Sequence, residues 1–365
     1  MTTYTKKRIL LILTGGTIAG NVAKSDITEK THADADTFRA TLDDSIQIVK
    51  RNWNIEIEPT IVELFNVDSS DMLPKNWTTL VEKIAETYDD FDSFIILHGT
   101  NTMGYTAAAL SFAFENINKP VILTGAQVPL GYLGSDATTN LINSLRLAVW
   151  GYNPIKGVIA VFGSKIISGV RVKKGTDFDY DPFSSFMTGS LGQIGRFIRI
   201  TEPALEKHIS YLSKAKPLAI QSRVLSIKKE FDTASIASLT EFPGMSPDIF
   251  QTLVEHNNTK AFIFRAFGAG DASLHLLKGF EYLKEKQIPI VVTSQAPNGV
   301  ASFQVNESGK TLKDHDLAIP AYDMNMESMT TKLAWLLAQN FNYEQIKQKM
   351  VEDLHGEINI ENELI

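Results

Sequence analysis

The sequence predicts an α/β protein with two α/β domains: a larger N-terminal domain with a mainly parallel sheet covered by helices, and a smaller C-terminal parallel α/β domain. The length of 365 residues exceeds the roughly 100–200 residues of one domain. Amphipathic helical stretches such as Trp77–Thr87 and Met103–Asn116 alternate with strands, which favours a parallel sheet with helices on both faces. Short apolar runs rich in β-branched residues predict the buried strands of the first domain: Ile9–Leu13, Phe94–Leu97, Val121–Leu123 and Val158–Phe162.

A change of pattern separates the two predicted domains. The alternation is lost after about Ser190, and polar residues of mixed charge then predict a linker. We therefore expect an N-terminal domain over residues 1–197, a linker over 198–218 and a C-terminal domain over 219–365. The second domain is expected to contain strands Val224–Ile227, Ala261–Phe264 and Ile288–Thr293 and helices Ser246–His256, Leu274–Glu285 and Met326–Gln339.

The composition excludes several functional classes. The 35 Lys and Arg residues and 42 Asp and Glu residues give a formal net charge of −7. Because nucleic-acid binding needs clustered cations, we expect no nucleic-acid partner. The chain has no cysteine, which excludes disulfides, thiolate metal sites and a cysteine nucleophile. The seven histidines show no metal-ligand spacing, so no metal site is expected.

The start of the chain bears on localisation. Lys6–Arg8 precede the apolar run Ile9–Leu13, but a signal peptide needs an apolar stretch of about 7–15 residues, which is longer than this one. No other apolar run approaches the ~18 residues of a membrane span. We therefore expect a cytoplasmic protein without membrane contact, provided that Met1 is the native start.

Polar, glycine-containing segments follow two of the predicted strands. They are Thr14–Thr17 (TGGT) and His98–Asn101 (HGTN). Ligands of open parallel sheets bind beyond the carboxyl ends of strands, where hydroxyls beside exposed amides can supply a nucleophile and an oxyanion hole. A structural turn or a helix cap is the alternative for these segments. His98 is expected to be structural, and neither nucleotide-binding glycine fingerprint fits.

A third polar segment, Asp68–Pro74 (DSSDMLP), opens the helix predicted near Trp77. Hydroxyls and amides at a helix start suit a carboxylate ligand. A plain N-cap is the alternative, and the two roles can coexist.

A threonine nucleophile needs a base to take its proton. Without cysteine or paired histidines, that base must be a lysine, a carboxylate or a relay through another hydroxyl. Ser168–Lys174 supplies lysines after a predicted strand, and burial can lower the pKa of a lysine enough for this role. Position alone does not choose between Lys173 and Lys174, and a surface charge pair is the alternative.

Together these segments resemble the bacterial-type L-asparaginase family, most closely its cytoplasmic type I branch. The resemblance is carried by Thr14–Ala19 (TGGTIA), Asp68–Met72 (DSSDM), His98–Met103 (HGTNTM) and Lys119–Pro129 (KPVILTGAQVP), followed by Ser135, Asp136 and Asn140. It covers most of the chain, more loosely in the C-terminal part. It implies two α/β domains, a homodimer or homotetramer, no cofactor, and hydrolysis of the side-chain amide of asparagine, sometimes glutamine, to the acid and ammonia.

The resemblance also implies roles for individual residues. Thr17 occupies the position of the nucleophile, Thr100 that of the second catalytic threonine, and Lys174 that of its lysine partner. The amides of Gly16 and Thr100 correspond to the oxyanion hole. The residues implied in substrate binding are Gly16, Asp68, Ser69, Ser70 and Ala126, with the two serines at the substrate's α-carboxylate and the backbone of Ala126 at the carboxamide.

Two positions depart from the family pattern. Asn101 stands where the family has a catalytic aspartate that meets the substrate's α-ammonium, and the segment between Gly20 and Lys50 lacks the family's loop tyrosine. A rough alignment places Ile27 at the tyrosine position. Three explanations remain open: an engineered or trapped asparaginase, a natural amidohydrolase whose substrate lacks a free α-ammonium or meets it with another acid, and a binding homologue with little catalysis.

Overall fold

The computed structural model describes residues 6–16, 35–114, 117–151, 153–202 and 230–359. The chain divides into two compact units, Met1–Ser226 and Ile227–Ile365. Each unit contains a sheet with helices, so the α/β prediction is confirmed. Within the described ranges, no helix combines the length and the apolar character needed to cross a membrane.

The first unit is built around an eight-stranded sheet. Its helices are α1 (Ala35–Trp53), α2 (Pro74–Glu86), α3 (Met103–Ala113) and α4 (Ala137–Val149). Its strands are β1 (Lys6–Leu13), β2 (Glu56–Glu63), β3 (Ser93–Leu97), β4 (Pro120–Thr124), β5 (Gly157–Phe162), β6 (Lys165–Ser168), β7 (Val172–Lys174), β8 (Phe183–Ser185), β9 (Gly192–Ile194) and β10 (Ile198–Ile200). The strand order is β10-β9-β6-β5-β4-β3-β1-β2, and β7 and β8 form a separate antiparallel pair.

The strand order of the parallel part of this sheet reverses at β1. Strands β1 to β5 are parallel, and β1 lies between β2 and β3. The chain therefore moves from β1 to one side and then crosses to the other. Ligands of open α/β sheets bind at the carboxyl ends of strands beside such a switch point. The expected place for a site is thus beyond Leu13 and Leu97, the last residues of β1 and β3.

Strand β1 is apolar on both of its faces because both faces are covered. Ile9 and Leu11 pack into a core with Leu42 of α1 and Leu145 of α4. Leu10 points to the other face of the sheet and is also fully buried. Burying one such side chain stabilises the fold by roughly 1.5–3 kcal/mol.

The second unit contains a four-stranded parallel sheet. Its strands are β11 (Ile236–Thr240), β12 (Ala261–Ala266), β13 (Ile290–Ser294) and β14 (Ile319–Pro320), in that order. Its helices are α5 (Asp248–Asn257), α6 (Leu277–Glu285), α7 (Glu307–Asp314), α8 (Met326–Ala338) and α9 (Tyr343–Val351). Phe250, Phe262, Phe264 and Phe280 form its aromatic core, with ring centroids 5.3 to 5.7 Å apart.

Several predicted bounds change in the structure. Helix α3 ends at Ala113, before the predicted Asn116, because Phe114 is extended and buries its side chain. The predicted linker begins inside the sheet, since Ile198–Ile200 pairs with Gly192–Ile194. The predicted strand Val224–Ile227 lies outside the described residues, and the domain bounds stay predictions.

A buried ion pair ties the end of the second unit to helix α8. The Nζ of Lys332 lies 2.6 Å from the Oε1 of Glu357, and neither side chain is exposed to solvent. Lys332 also donates to the carbonyls of Met350 and Glu352, and the other carboxylate oxygen accepts from the amide of His355. Each charge is therefore surrounded by hydrogen-bond partners, as a buried charge requires.

The pair also sets the protonation state of its carboxyl group. Burial alone would raise the pKa of Glu357, but the charge of Lys332, the charge of His355 and their hydrogen bonds outweigh burial and lower this pKa to about 2. The carboxylate therefore stays ionised in the folded protein under mildly acidic conditions.

We predict that Glu357→Gln destabilises the second unit by about 3–5 kcal/mol, because it leaves a buried ammonium without its counter-charge. The carboxylate of the parent protein stabilises fully above its ordinary pKa of 4.5, and this contribution disappears as the pH falls from there to about 2. The difference between parent and variant should shrink over that window in urea unfolding. The double variant Lys332→Met with Glu357→Leu should recover much of the loss. Equal unfolding midpoints for parent and Glu357→Gln at pH 7 would contradict the prediction.

Candidate active site

The segment after β1 is fastened to the ends of two neighbouring segments. The amide and the hydroxyl of Thr14 both donate to the carbonyl of Leu97, at 3.2 and 3.0 Å. The carbonyl of Thr14 accepts from the amide of Val67 at 3.1 Å. The loops that follow β1 and β3 and the segment before Ser69 are therefore held together by backbone groups.

Glycines let these segments approach closely. Gly16 has φ +82°, and a Cβ on it would lie 2.7 Å from the amide nitrogen of Gly99. A Cβ on Gly99 would lie 2.5 Å from the Oγ of Ser69. Both distances are shorter than any real Cβ contact, so only glycine fits at these two positions.

The side chain of Lys174, the last residue of β7, reaches the segment that follows β3. The turn Gly169–Arg171 leads into β7, and Gly169 packs against Ala107 and Ser111 of α3. The Nζ of Lys174 donates to the Oγ1 of Thr100 at 2.8 Å. Because side chains alternate along a strand, the neighbouring Lys173 projects from the opposite face of β7. The structure therefore places Lys174 beside Thr100.

The surroundings of Lys174 make its proton easier to remove than that of an exposed lysine. Burial lowers the pKa of Lys174 from its ordinary value of 10.5, and the carboxylate of Asp177 acts in the opposite direction. A neutral amine can accept the proton of the Thr100 hydroxyl, whereas an ammonium can only donate to it. Burial thus moves this lysine towards the state that a base requires.

Asn101 lies between Lys174 and Ser70. The Nζ of Lys174 donates to the Oδ1 of Asn101 at 3.0 Å, and the Nδ2 of Asn101 donates to the Oγ of Ser70 at 2.9 Å. Since an ammonium has no acceptor, it must meet the oxygen end of the amide, and this fixes the orientation of Asn101. Ser70 consequently accepts at its oxygen and can direct its own proton elsewhere.

The turn Ser69–Asp71 follows β2 and lies beside Asn101, which contacts its Ser70. The side chain of Asp68 accepts from the amide of Ser70 at 2.8 Å, so Asp68 is a cap of this turn. The carbonyl of Ser69 accepts from the hydroxyl of Thr102 at 2.6 Å. The second contact joins the turn to the segment after β3.

The backbone around Ala126 follows β4 and is shaped by α4. The carboxylate of Asp136 accepts from the amides of Gln127 and Val128, and the amide group of Asn140 donates to the carbonyl of Gly125. These two side chains lie one helical turn apart at the start of α4, and together they hold the loop after β4 from one side. Ala126 itself is buried.

The structure brings together most of the predicted site residues. Gly16, Ser69, Ser70, Thr100, Asn101 and Lys174 are joined by the contacts given above, and Asp68 and Ala126 lie in the adjoining turns. Thr17 and Ile27 lie outside the described residues. Among the residues that the structure describes, no three His, Asp or Glu side chains are grouped to hold a metal ion.

Sequence reasoning assigns no role to three contributors to this arrangement. Asp177 opposes the pKa shift of Lys174, Thr102 joins the segment after β3 to the turn after β2, and Asp136 shapes the loop at Ala126. Asp136 and Asn140 belong to the motif that carries the family resemblance, and their spacing of four at the start of α4 places both on one face. No local pattern distinguishes Asp177 or Thr102.

Two family models and a curated relative match most of this chain. The family model described as Asparaginase, N-terminal, matches residues 8–205, and that described as Glutaminase/Asparaginase C-terminal domain matches residues 235–350. L-asparaginase 1 of Escherichia coli (strain K12) is 35% identical over 294 residues, which are 80% of this chain and 82% of that protein.

Two solved structures are similar over nearly the whole chain. L-asparaginase I from Vibrio cholerae O1 biovar eltor str. N16961 has a TM-score of 0.77 at 32% identity, covering 97% of this chain and 100% of that chain. A probable cytoplasmic L-asparaginase from Campylobacter jejuni has a TM-score of 0.72 at 25% identity, covering 95% and 100%.

We predict that Gly16→Ala lowers the melting temperature more than Gly131→Ala does. Both glycines have positive φ, +82° and +87°, so both substitutions carry the backbone strain of about 1–3 kcal/mol that a non-glycine residue meets there. Only Gly16 also faces a backbone atom within 3 Å, since nothing lies within 4 Å of a Cβ at Gly131. Thermal unfolding of the two variants measures the difference, and equal shifts would show that the close approach of Gly16 is not needed for stability.

Proposed function

The chain belongs to the asparaginase family, and on this premise we propose that it hydrolyses the side-chain carboxamide of asparagine or a related amide to the acid and ammonia. The hydrogen bond between Lys174 and Thr100 carries the proposal. It joins a lysine and a hydroxyl that are distant in sequence at the carboxyl ends of the parallel strands. A proton relay is the chemistry that such a pair supports.

In the proposed reaction, Thr17 is the nucleophile. Its hydroxyl loses a proton, and its oxygen forms a bond to the carboxamide carbon, which makes a tetrahedral oxyanion. The amides of Gly16 and Thr100 donate hydrogen bonds to that oxygen. A preorganised donor of this kind contributes about 3–4 kcal/mol to transition-state stabilisation.

The Thr100–Lys174 pair moves the protons in this scheme. Neutral Lys174 accepts the proton of the Thr100 hydroxyl while that hydroxyl takes up the proton of the attacking group. Return of a proton to the amide nitrogen breaks the C–N bond, and ammonia leaves an ester on Thr17. Water then attacks the ester through the same relay, which releases the acid and restores Thr17.

The opposite end of the substrate is bound by the turn after β2. Ser69 and Ser70 are proposed to bind the α-carboxylate, with Asp68 holding the turn in shape. The Ser70 oxygen already accepts from Asn101, so the Ser70 proton can be donated to the carboxylate. The backbone of Ala126 is proposed to meet the carboxamide group.

Asn101 favours a second candidate within this function. An asparagine side chain is neutral, and a charge-assisted hydrogen bond is roughly twice as strong as a neutral one. A substrate with an α-ammonium therefore gains less from Asn101 than from an aspartate. This observation favours an amide that lacks a free α-ammonium, or a weakly active homologue that binds an amino-acid-like ligand.

We also propose a cytoplasmic homodimer or homotetramer. The cytoplasmic location is supported by the likeness to the Campylobacter jejuni protein titled probable cytoplasmic L-asparaginase. The oligomeric state is proposed from family resemblance, since closed symmetric assembly of identical chains is the common form of soluble oligomers.

We predict that Thr17→Ala abolishes ammonia release from an amide that the parent protein hydrolyses. Removing a nucleophile of this kind costs on the order of 10⁴-fold or more in kcat, because the acyl-enzyme cannot form. Ammonia release would be followed across a panel of amides with and without an α-amino group. Thr17→Ser is the matched control, since it keeps a hydroxyl and should retain measurable activity. Full activity of Thr17→Ala on every accepted amide would exclude Thr17 as the nucleophile.

We predict that Asn101→Asp raises kcat/KM for asparagine by about tenfold or more, because a carboxylate binds the α-ammonium through a charge-assisted hydrogen bond. The same change should leave or lower kcat/KM for the matching amide without an α-amino group. Steady-state kinetics on the two substrates give this ratio directly. An unchanged ratio would mean that Asn101 does not face the α-substituent of the substrate.

A further inference from the structure

We propose that His98 is a positioning residue: its ring holds the Gly99–Thr100 peptide in the orientation that directs the Thr100 amide into the oxyanion hole. The proposal rests on the proposed function of the site. His98 is not itself expected to touch the substrate, because its side chain is fully buried.

The contacts of the ring determine which nitrogen carries its proton. The Nδ1 of His98 lies 2.7 Å from the carbonyl oxygen of Gly99. A carbonyl can only accept, so Nδ1 must be the protonated nitrogen and Nε2 the acceptor. The hydroxyl of Thr106, 2.9 Å from Nε2, therefore donates to the ring.

A third group completes this chain of hydrogen bonds. The indole Nε1 of Trp77 lies 3.1 Å from the Oγ1 of Thr106 and can only donate. The order of donation is thus fixed from Trp77 on α2, through Thr106 on α3 and His98 after β3, to the carbonyl of Gly99. All three side chains are buried, so water does not compete for these bonds.

The buried ring is held in its neutral form. Burial lowers the pKa of His98 to about 4, although its bond to Gly99 acts in the opposite direction. A charged ring would carry a proton on Nε2 as well, and that proton would oppose the one donated by Thr106. The neutral tautomer therefore persists at ordinary pH.

The bond to the ring fixes a whole peptide plane. None of the described peptide bonds is cis, and in a planar trans peptide the C=O and the N–H point in opposite directions. The carbonyl of Gly99 points at the buried ring, so the amide of Thr100 points away from it. The side chain of the same Thr100 accepts from Lys174.

Gly99 makes such a restraint necessary. Glycine rotates easily about both of its backbone bonds, and a residue with a side chain does not fit here because a Cβ would meet the Oγ of Ser69 at 2.5 Å. The close approach that the site needs therefore brings with it a peptide that can turn over. The hydrogen bond from His98 opposes that rotation.

The test compares two isosteric replacements of the ring. The side-chain nitrogen of His98→Asn can take the place of Nδ1 and keep the bond to Gly99, whereas that of His98→Gln takes the place of Nε2 and loses it. We expect His98→Gln to lower kcat by about 10²–10³-fold with little change in KM, as loss of one oxyanion donor does. His98→Asn should retain at least about ten times the kcat of His98→Gln. Equal kcat values for the two variants would overturn the proposal, since a purely structural histidine gives no preference for one nitrogen.

A second readout does not depend on catalysis. In protein labelled with ¹⁵N-threonine, the Thr100 amide resonance should move in His98→Gln and stay near its parent position in His98→Asn. The two proposals fail separately. If the parent protein releases no ammonia from any amide, the proposed function is wrong. If the Thr100 resonance does not move in His98→Gln, the positioning role is wrong.

A further pair of variants covers the case in which replacement of His98 prevents folding. Thr106→Val removes the hydroxyl that holds Nε2, and Thr106→Ser keeps it. We expect a lower kcat and a displaced Thr100 resonance for Thr106→Val only. Parent values of both quantities in Thr106→Val would overturn the proposal.

Discussion

The site depends on the contact of backbone with backbone at the carboxyl ends of β1 and β3. Gly16 lies against the amide of Gly99, and Gly99 lies against the hydroxyl of Ser69. Side chains at these positions would force the three segments apart, since a Cβ would lie only 2.7 Å from the amide nitrogen of Gly99 or 2.5 Å from the Oγ of Ser69. Amides from two strands can then point into one small space, which is what an oxyanion hole requires. The cost is conformational freedom, because glycine restrains its own backbone less than any other residue.

The surrounding structure supplies the restraint that the glycines lack. Thr14 fastens the first segment to the end of β3 through both its amide and its hydroxyl. Thr102 fastens the segment after β3 to the carbonyl of Ser69 in the turn after β2. Asp136 and Asn140 hold the loop after β4 from α4. Each restraint is a polar side chain whose partner is a backbone group, so the shape of the loops is set by hydrogen bonds that these side chains make outside the proposed reaction.

The sequence predicts those parts of the fold that local pattern controls. Ile9–Leu13 is buried on both faces and therefore appears as a continuous apolar run. Strand β2, Glu56–Glu63, was missed because it is an edge strand, half-exposed, and interrupted by Pro59. Strands β7 and β8 contain three residues each, which is too short for any periodicity.

The candidate site shows the same limit. Glycine-rich segments after buried strands were predictable, because strand ends and turns are local features. The choice of Lys174 over Lys173 depended on resemblance, since neighbouring residues of a strand differ only in the face from which they project. The contact of Lys174 with Thr100 joins the β7–β8 pair to the end of β3. A contact of that kind depends on the packing of Gly169 against α3, which no pattern around Lys174 encodes.

Asn101 has two electrical consequences that oppose each other. An aspartate at this position would place a negative charge beside Lys174, and a nearby negative charge raises the pKa of an amine. The neutral amide omits that effect, so burial lowers the pKa of Lys174 against the carboxylate of Asp177 alone. The proton of Lys174 is thereby easier to remove, while a cationic group placed beside Asn101 would be bound less strongly than beside an aspartate. The amide is also directional: its oxygen meets Lys174, and its nitrogen meets Ser70. An aspartate would accept from both and take the Ser70 proton, whereas Asn101 leaves that proton for a carboxylate. Under the proposed function, a site built this way would favour the acidic end of its substrate and the proton relay over recognition of an ammonium group.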